Sequence, residues 1–182
     1  MATYFGQQTQ TGTDNPSGPL IMWTDATFAC SGTGNQNIQE LSCFLFTTGT
    51  VHMRVGVYNS AGTVLVAEGT ASITVAGGSL AWQGHMAQAN VKAAGGASPG
   101  VLVGGTSYRL AFALDATISN FGKSDGVQSH YTVGTDYTGG MPSALPAQTD
   151  VINFLYCIRC GVDPAASPFP GGAVGFRTTV VP

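Results

Sequence analysis

Two segments of the chain alternate apolar and polar side chains with a period of two. They span residues 51–59 (VHMRVGVYN) and 106–115 (TSYRLAFALD). The apolar positions are Val51, Met53, Val55 and Val57 in the first segment and Tyr108, Leu110, Phe112 and Leu114 in the second. A period of two is typical of a β-strand with one buried face, whereas the apolar stripe of a helix repeats every 3.6 residues. The pattern therefore predicts two half-buried strands.

Turn residues divide much of the remaining chain into further short segments of this kind. Glycine-containing turns recur at intervals of about 8–12 residues, which is the spacing of sandwiches and barrels. The apolar run 151–160 (VINFLYCIRC) predicts a central strand. Charged residues make up only 8% of the chain, so the Glu and Lys that cover most helix surfaces are scarce. We therefore predict an all-β fold, a two-sheet antiparallel β-sandwich of jelly-roll type.

The domain organisation follows from the distribution of polar and apolar segments. Residues 1–19 are rich in Gly, Thr and Gln and predict an N-terminal arm with little core of its own. Residues 20–182 are predicted to form a single β-sandwich domain, which ends in an extended C-terminal segment. The stretch 87–100 is predicted to be a loop. The longer stretch 134–149 predicts a functional or interfacial loop.

The charge pattern argues against two classes of partner. The net charge is −3, and the six Lys and Arg residues form no basic stripe, so we predict no nucleic-acid binding. The chain has no apolar run of about 18 residues, so we predict no membrane span. A surface this poor in charge repels other molecules only weakly. We therefore predict a homo-oligomer of closed symmetry, with a trimer favoured.

The four cysteines leave two interpretations open. Cys30 and Cys43 flank a turn-rich segment and could form a disulfide across a hairpin. Alternatively, all four cysteines are free thiols that pack as small apolar side chains. Cys157 and Cys160 form a C-x-x-C without a second pair at zinc-finger spacing, so we predict no metal site.

The sequence contains none of the motifs that mark common catalytic sites. Its three histidines form no metal-binding motif, and no nucleophile elbow, phosphate loop or dinucleotide fingerprint occurs. The nine carboxylates show no spacing that would place two of them across a cleft. We therefore predict a non-enzymatic protein without a cofactor.

Aromatic residues in or near the predicted loops suggest one binding surface. The candidates are Trp82, Phe121, Tyr131 and Tyr137, with His85 beside Trp82 in a groove. Exposed rings of this kind could form a platform on which sugar rings stack. The alternative interpretation is that the same rings fill the core or an interface.

Two blocks of the chain resemble a recurring β-sandwich module. They read MRVGVYNSAGTVLVAEG and LVGGTSYRLAFALDA. The matching positions are Val55, Val57, Tyr58, Leu65, Leu102, Gly105, Thr106, Tyr108, Leu110 and Ala111. Similar jelly-roll modules occur in phage structural and tail proteins and in secreted bacterial surface or carbohydrate-associated proteins. The matching positions are core and turn residues, so the resemblance bears on the fold more than on function.

The resemblance and the composition together imply two functions. The first is a structural or decoration protein of a virus particle, of phage type, that contacts other virion proteins or copies of itself. The N-terminus lacks the pattern of a signal peptide. Either the sequence was trimmed, or the protein reaches its location without a signal, as a virion component assembled inside a host cell would. The second is an extracellular carbohydrate-binding module or adhesin with a glycan on the aromatic platform.

Overall fold

The computed structural model describes residues 2–69, 73–75, 79–87, 91–93, 100–133 and 140–164. Within these ranges the chain has fifteen strands and no helix, so no helix there is available to cross a bilayer. The strands are β1 (Thr3–Gly6), β2 (Gly12–Asp14), β3 (Leu20–Thr24), β4 (Phe28–Ala29), β5 (Asn35–Phe46), β6 (Val51–Asn59), β7 (Leu65–Gly69), β8 (Ile73–Val75), β9 (Ala81–Ala87), β10 (Val91–Ala93), β11 (Val101–Val103), β12 (Ser107–Leu114), β13 (Asn120–Val133), β14 (Asp150–Tyr156) and β15 (Ile158–Pro164). The prediction of an all-β, antiparallel fold is confirmed.

The described strands form one hydrogen-bonded sheet rather than two separate ones. Its main path runs β1-β15-β5-β13-β3-β12-β6-β7-β10, and the other strands pair with members of this path. The 14-residue strand β13 joins β5 to β3 in this path. It pairs with β2 and β5 before a bulge between Asp125 and Ser129, and with β3 after it. A bulge bends a strand, so the strand can pair with different neighbours before and after the bend. The hydrogen-bonded ladder is therefore continuous, although two separate sheets were predicted.

The main core joins strands that are far apart in the sheet order. Side chains of β5 and β15, such as Leu41 and Ile158, share one buried cluster with side chains of β6 and β12, such as Val57 and Leu110. Between these two groups the path runs through β13 and β3. The sheet therefore folds back on itself around the cluster, an arrangement that is compatible with a β-sandwich.

Three aromatic rings contact one another within this core. Phe112 stacks on Phe121 with ring centroids 4.6 Å apart, and Tyr156 meets both rings edge-on at 5.6 and 4.8 Å. Offset stacking and edge-to-face contacts are the arrangements that aromatic quadrupoles favour. Phe121 has no exposed surface, so its predicted place on a sugar-binding platform was wrong. Its ring points into the core because β13 is a continuous strand there rather than a loop.

A second buried cluster covers the opposite face of β3, β6 and β12. It includes Trp23, Tyr58 and Ala111, and Met141 packs on them from the segment 140–148. The Tyr58 hydroxyl donates a hydrogen bond of 2.8 Å to the carbonyl oxygen of Pro142. This segment explains why β6 alternates between buried and exposed residues only in its first half, since the later positions are buried on both faces.

The segment 140–148 also closes against the β6–β7 turn. The backbone N–H of Leu145 donates to the carbonyl oxygen of Gly62 at 2.8 Å, and that of Leu65 donates to Ser143 at 2.7 Å. Gly62 has φ +75°, and a Cβ there would lie 2.8 Å from Cδ1 of Leu145. The positive φ therefore favours glycine here, and a larger residue would also have to displace the Leu145 side chain.

The first nineteen residues contribute strands to the sheet. β1 pairs with β15 and β2 pairs with β13. Phe5 is buried in the main core, and the Tyr156 hydroxyl donates a 2.6 Å hydrogen bond to Asp14. The segment predicted to be an arm with little core of its own thus packs against the domain, because Phe5 supplies an apolar side chain to the main core.

Two other segments differ from the prediction or lie outside the described residues. Within 87–100, predicted to be a loop, Val91–Ala93 forms the strand β10 and pairs with β7. This three-residue strand is too short to produce a visible period in the sequence. The predicted C-terminal segment 173–181 lies outside the described residues.

All four cysteines are free and buried. The predicted disulfide between Cys30 and Cys43 is absent, and the alternative interpretation of buried free thiols describes the structure. Cys43 lies opposite Ile158 of β15, whereas the backbone N–H of Cys30 donates to Thr106 in front of β12. The two cysteines therefore lie beside different strands, and no hairpin places them opposite each other.

Candidate functional site

A cavity of about 290 Å³ lies on the outer face of the sheet, where the segment 140–148 meets β3, β12 and β13. Trp23 of β3 lies opposite both Ala111 of β12 and His130 of β13 in the strand register. Side chains opposite each other in an antiparallel pair project from the same face. The register therefore places the Trp23 and His130 rings together, with centroids 5.9 Å apart.

Charged groups line one side of this cavity, which we call the Trp23 cavity. Oδ1 of Asp25 lies 3.1 Å from Nη1 of Arg109 and 3.4 Å from Nε2 of His130. Arg109 also donates from Nε to the Ser60 carbonyl oxygen at 2.7 Å. Asp25 thus pairs with two basic side chains through a single oxygen, and among the described residues Oδ2 has no partner.

The exposure of these groups decides which of them can meet a ligand. The Asp25 side chain is 45% exposed, against 21% for Arg109 and 11% for His130. Asp25 therefore presents its carboxylate to the solvent, while the two basic groups are held behind it. Nδ1 of His130 is buried and has no hydrogen-bond partner among the described residues. An arrangement of this kind can accept hydrogen bonds from a ligand and donate others to it.

A second cavity, of about 270 Å³, contains the predicted residue Tyr131. Its floor is apolar, with Leu20 and Met22 exposed only at their edges, and Asp14 lies at its rim. The Tyr131 hydroxyl donates to Oδ2 of Asp150 at 2.9 Å, and this hydrogen bond raises the pKa of Tyr131. Tyr131 is therefore half-buried and already hydrogen-bonded rather than free on an open platform.

The face of Trp82 is occupied by another side chain. The guanidinium of Arg159 lies 4.2 Å from the centroid of Trp82 and 4.2 Å from that of Tyr4, so it is sandwiched between the two rings. Nη2 of Arg159 pairs with Oε1 of Glu40 at 3.0 Å. Cation–π contacts of this kind are worth about 0.5–2 kcal/mol. A sugar stacking on this face of Trp82 would have to displace Arg159.

Tyr131 and Trp82 have different strand partners. Trp82 lies opposite Phe44 of β5, whereas Tyr131 lies opposite Met22 and Asp150. His85 belongs to β9, but its side chain lies outside the described part of the structure, as does the whole of Tyr137. No described cavity contains two of these residues, and a shared platform stays a prediction.

The residues around the Trp23 cavity were not predicted as a site from the sequence. Trp23 and Asp25 lie within a segment that reads as one apolar strand from residue 20 to residue 30. The available signal was the charged Asp25 in that apolar run, together with Arg109 on the polar face of its strand. The cavity itself could not be foreseen, because its outer wall comes from a distant segment. No group of three metal-ligating side chains occurs in the described ranges.

Comparisons with known proteins give no match to this chain, whether with protein families, with curated proteins or with solved structures. The strand pairings described above are the evidence for the all-β antiparallel fold. The associations with phage particles and with carbohydrates stay predictions.

Proposed function

We propose that this chain is a non-enzymatic structural protein of a virus particle, of the decoration type found on phages. It would act through contacts with copies of itself or with other virion proteins, and its sheet, folded back on itself, would form the two layers of a jelly-roll sandwich. The observation that carries the proposal is an exposed aliphatic edge strand, β11, on a chain with very few charges.

The strand β11 has the properties of an assembly edge. Val101 and Val103 are 38% and 50% exposed, whereas Leu102 between them is buried. Among the described strands β11 pairs only with β5. On its other edge the Val103 N–H donates to the Tyr108 hydroxyl at 2.9 Å and the Val103 carbonyl oxygen accepts from Thr106 at 3.2 Å, so the backbone groups that remain for another strand are those of Val101. Most monomeric proteins protect such edges with lysine or other charges, because an open edge is a template for strand addition.

The composition supports contacts with other subunits. The chain has 15 charged residues, 6 basic and 9 acidic, in a total of 182. A surface with so little charge disfavours dispersed monomers and lowers the cost of burying it in an interface. Closed symmetry would let identical copies satisfy their edges without growing into fibres, which favours a ring such as a trimer.

The proposal predicts that charges on β11 dissociate the oligomer. We expect the double variant Val101→Lys/Val103→Lys to behave as a monomer in light scattering, since two lysines cannot be buried unpaired. The matched control is Val64→Lys, because Val64 is also exposed but lies in the β6–β7 turn. Both variants should fold with stabilities within about 0.5 kcal/mol of the parent, as surface substitutions usually do.

Two outcomes would contradict this proposal. The parent chain could be a monomer at high concentration, or the double variant could assemble as well as the Val64→Lys control. Deleting the N-terminal segment is a poor test, because its strands pair with β13 and β15 and the deletion would disturb the fold as well as any contacts.

A carbohydrate-binding module or adhesin is the second candidate function. The observation that favours it is the Trp23 cavity, which combines an aromatic residue with hydrogen-bonding side chains of both kinds. Its predicted location would be extracellular. The two functions are compatible, since a virion surface protein can carry a glycan site.

A further inference from the structure

We infer that the Trp23 cavity binds a single neutral sugar ring, held by Asp25 and Arg109 against an apolar wall. This site rests on the carbohydrate-binding function proposed above and uses residues other than the predicted platform of Trp82, Tyr131 and Tyr137. It is independent of the assembly edge at β11, because the cavity and that edge have no lining residue in common.

The polar groups of the cavity match the chemistry of hydroxyls. Asp25 offers acceptors, Arg109 offers donors, and the amide of Gln148 offers both. Each sugar hydroxyl donates one hydrogen bond and accepts others, so neighbouring hydroxyls can bridge a carboxylate and a guanidinium that lie side by side. Oδ1 of Asp25 and Nη1 of Arg109 already lie 3.1 Å apart, so the two side chains hold this arrangement before a ligand binds. Such preorganisation lowers the entropic cost of binding.

The apolar side of the cavity suits the C–H face of a ring. Trp23, Leu145 and Pro146 line it, and Ala61 and Ala144 leave space beside them. A sugar ring is amphipathic, with hydroxyls around its edge and C–H groups on its faces. It can therefore meet the carboxylate at its edge and the apolar residues at its face, which neither a small inorganic ion nor a purely apolar ligand can do.

The volume and the charge of the cavity further restrict the class of ligand that it can bind. The volume of about 290 Å³ lies near the lower end of the range for ligand pockets, so the cavity accommodates one ring rather than an oligosaccharide chain. The negative charge of Asp25 is compensated by Arg109, with His130 beside it. A neutral ligand keeps this pairing intact, whereas an anionic group would compete with Asp25 for the guanidinium. A terminal neutral hexose is the ligand class that satisfies all these conditions.

The test uses the full chain and a panel of methyl glycosides with gluco, galacto, manno and N-acetylgluco configuration. Saturation-transfer NMR should detect binding of at least one of them, and titration should give its affinity. Asp25→Asn keeps the shape of the side chain but removes its charge, and should weaken binding about tenfold or more. Ala61→Trp should abolish binding by filling the cavity from an exposed turn position, while Asp25 and Arg109 themselves stay unchanged.

The control is Asp150→Asn, which removes an exposed carboxylate next to Tyr131 and outside the Trp23 cavity. This variant should bind the glycoside like the parent chain. The inference is overturned if no glycoside in the panel binds, if methyl phosphate binds in preference to every glycoside, or if Ala61→Trp binds like the parent. A loss of binding in Asp150→Asn with retention in Asp25→Asn would place the site at Tyr131 and would also overturn it. Light scattering on Ala61→Trp should show the oligomer of the parent.

Discussion

Replacing Phe112 with alanine is expected to lower the free energy of unfolding by about 4 kcal/mol. Phe112 is almost fully buried and contacts the rings of both Phe121 and Tyr156. The substitution removes the transfer free energy of a buried ring and leaves a cavity between two rigid neighbours, which cannot collapse to fill it. Such a loss is a large part of the stability of a typical domain. Urea denaturation followed by tryptophan fluorescence measures it.

Two further variants separate the effect of the cavity from that of a general change in stability. Phe112→Leu retains most of the volume and should cost about 1–2 kcal/mol. Val64→Ala, at a side chain that is 53% exposed, should change the stability by less than about 0.5 kcal/mol. A loss below about 1.5 kcal/mol for Phe112→Ala would mean that the three rings do not form a closed cluster.

Raising the pH from 7 to 10 is expected to destabilise the chain by about 3 kcal/mol through Cys43 and Cys160 alone. Burial raises the pKa of both thiols above the ordinary value of 9.0, and neither side chain has exposed surface. In the unfolded chain the same thiols ionise from about pH 9 upward. The unfolded state then loses protons that the folded state keeps, so stability is present below pH 9 and falls as the pH rises.

The magnitude follows from the linkage between protonation and folding. Each thiol contributes about 1.4 kcal/mol of destabilisation for every pH unit above its unfolded pKa, until its folded pKa is reached. Cys157, whose pKa is raised to about 11, and Tyr156, whose pKa is raised mainly by burial, add to the effect above pH 9 and pH 10 respectively. Urea denaturation at pH 7, 8, 9 and 10 under reducing conditions measures how the free energy of unfolding changes with pH.

The control for this prediction is the double variant Cys43→Ala/Cys160→Ala. It should be less stable than the parent at pH 7, because it loses two buried side chains, but its stability should fall less steeply between pH 9 and pH 10. Equal slopes for parent and variant would show that the two thiols are accessible to solvent or already ionised in the folded chain.

The strands with a clear local pattern could be predicted from the sequence. The segment 51–59 matches β6 at both ends, and β12 begins and ends within one residue of the predicted 106–115. In both strands the predicted apolar face is the one that packs into the main core. The period of two is a property of consecutive residues, so it needs no knowledge of the partners of a strand.

Features that depend on strand partners could not be predicted in the same way. The apolar run 151–160 reads as one strand but contains parts of two, β14 and β15, which pair with β13 and β5. The break falls at Cys157, whose N–H donates to Gly122 of β13 and whose carbonyl oxygen accepts from Phe44 of β5. An apolar run looks the same whether its partner changes or not, so only the hydrogen bonds reveal the change.

The sequence by itself determined that this chain is all-β and antiparallel, because alternation, turn spacing and the scarcity of helix-surface residues are local properties. Only the tertiary structure decided which polar residues meet. Asp25, Arg109 and His130 are distant in sequence and come together because β3 pairs with both β12 and β13. The segment 140–148 then closes the cavity over them. Such contacts arise from long-range strand register, which short-range patterns do not encode.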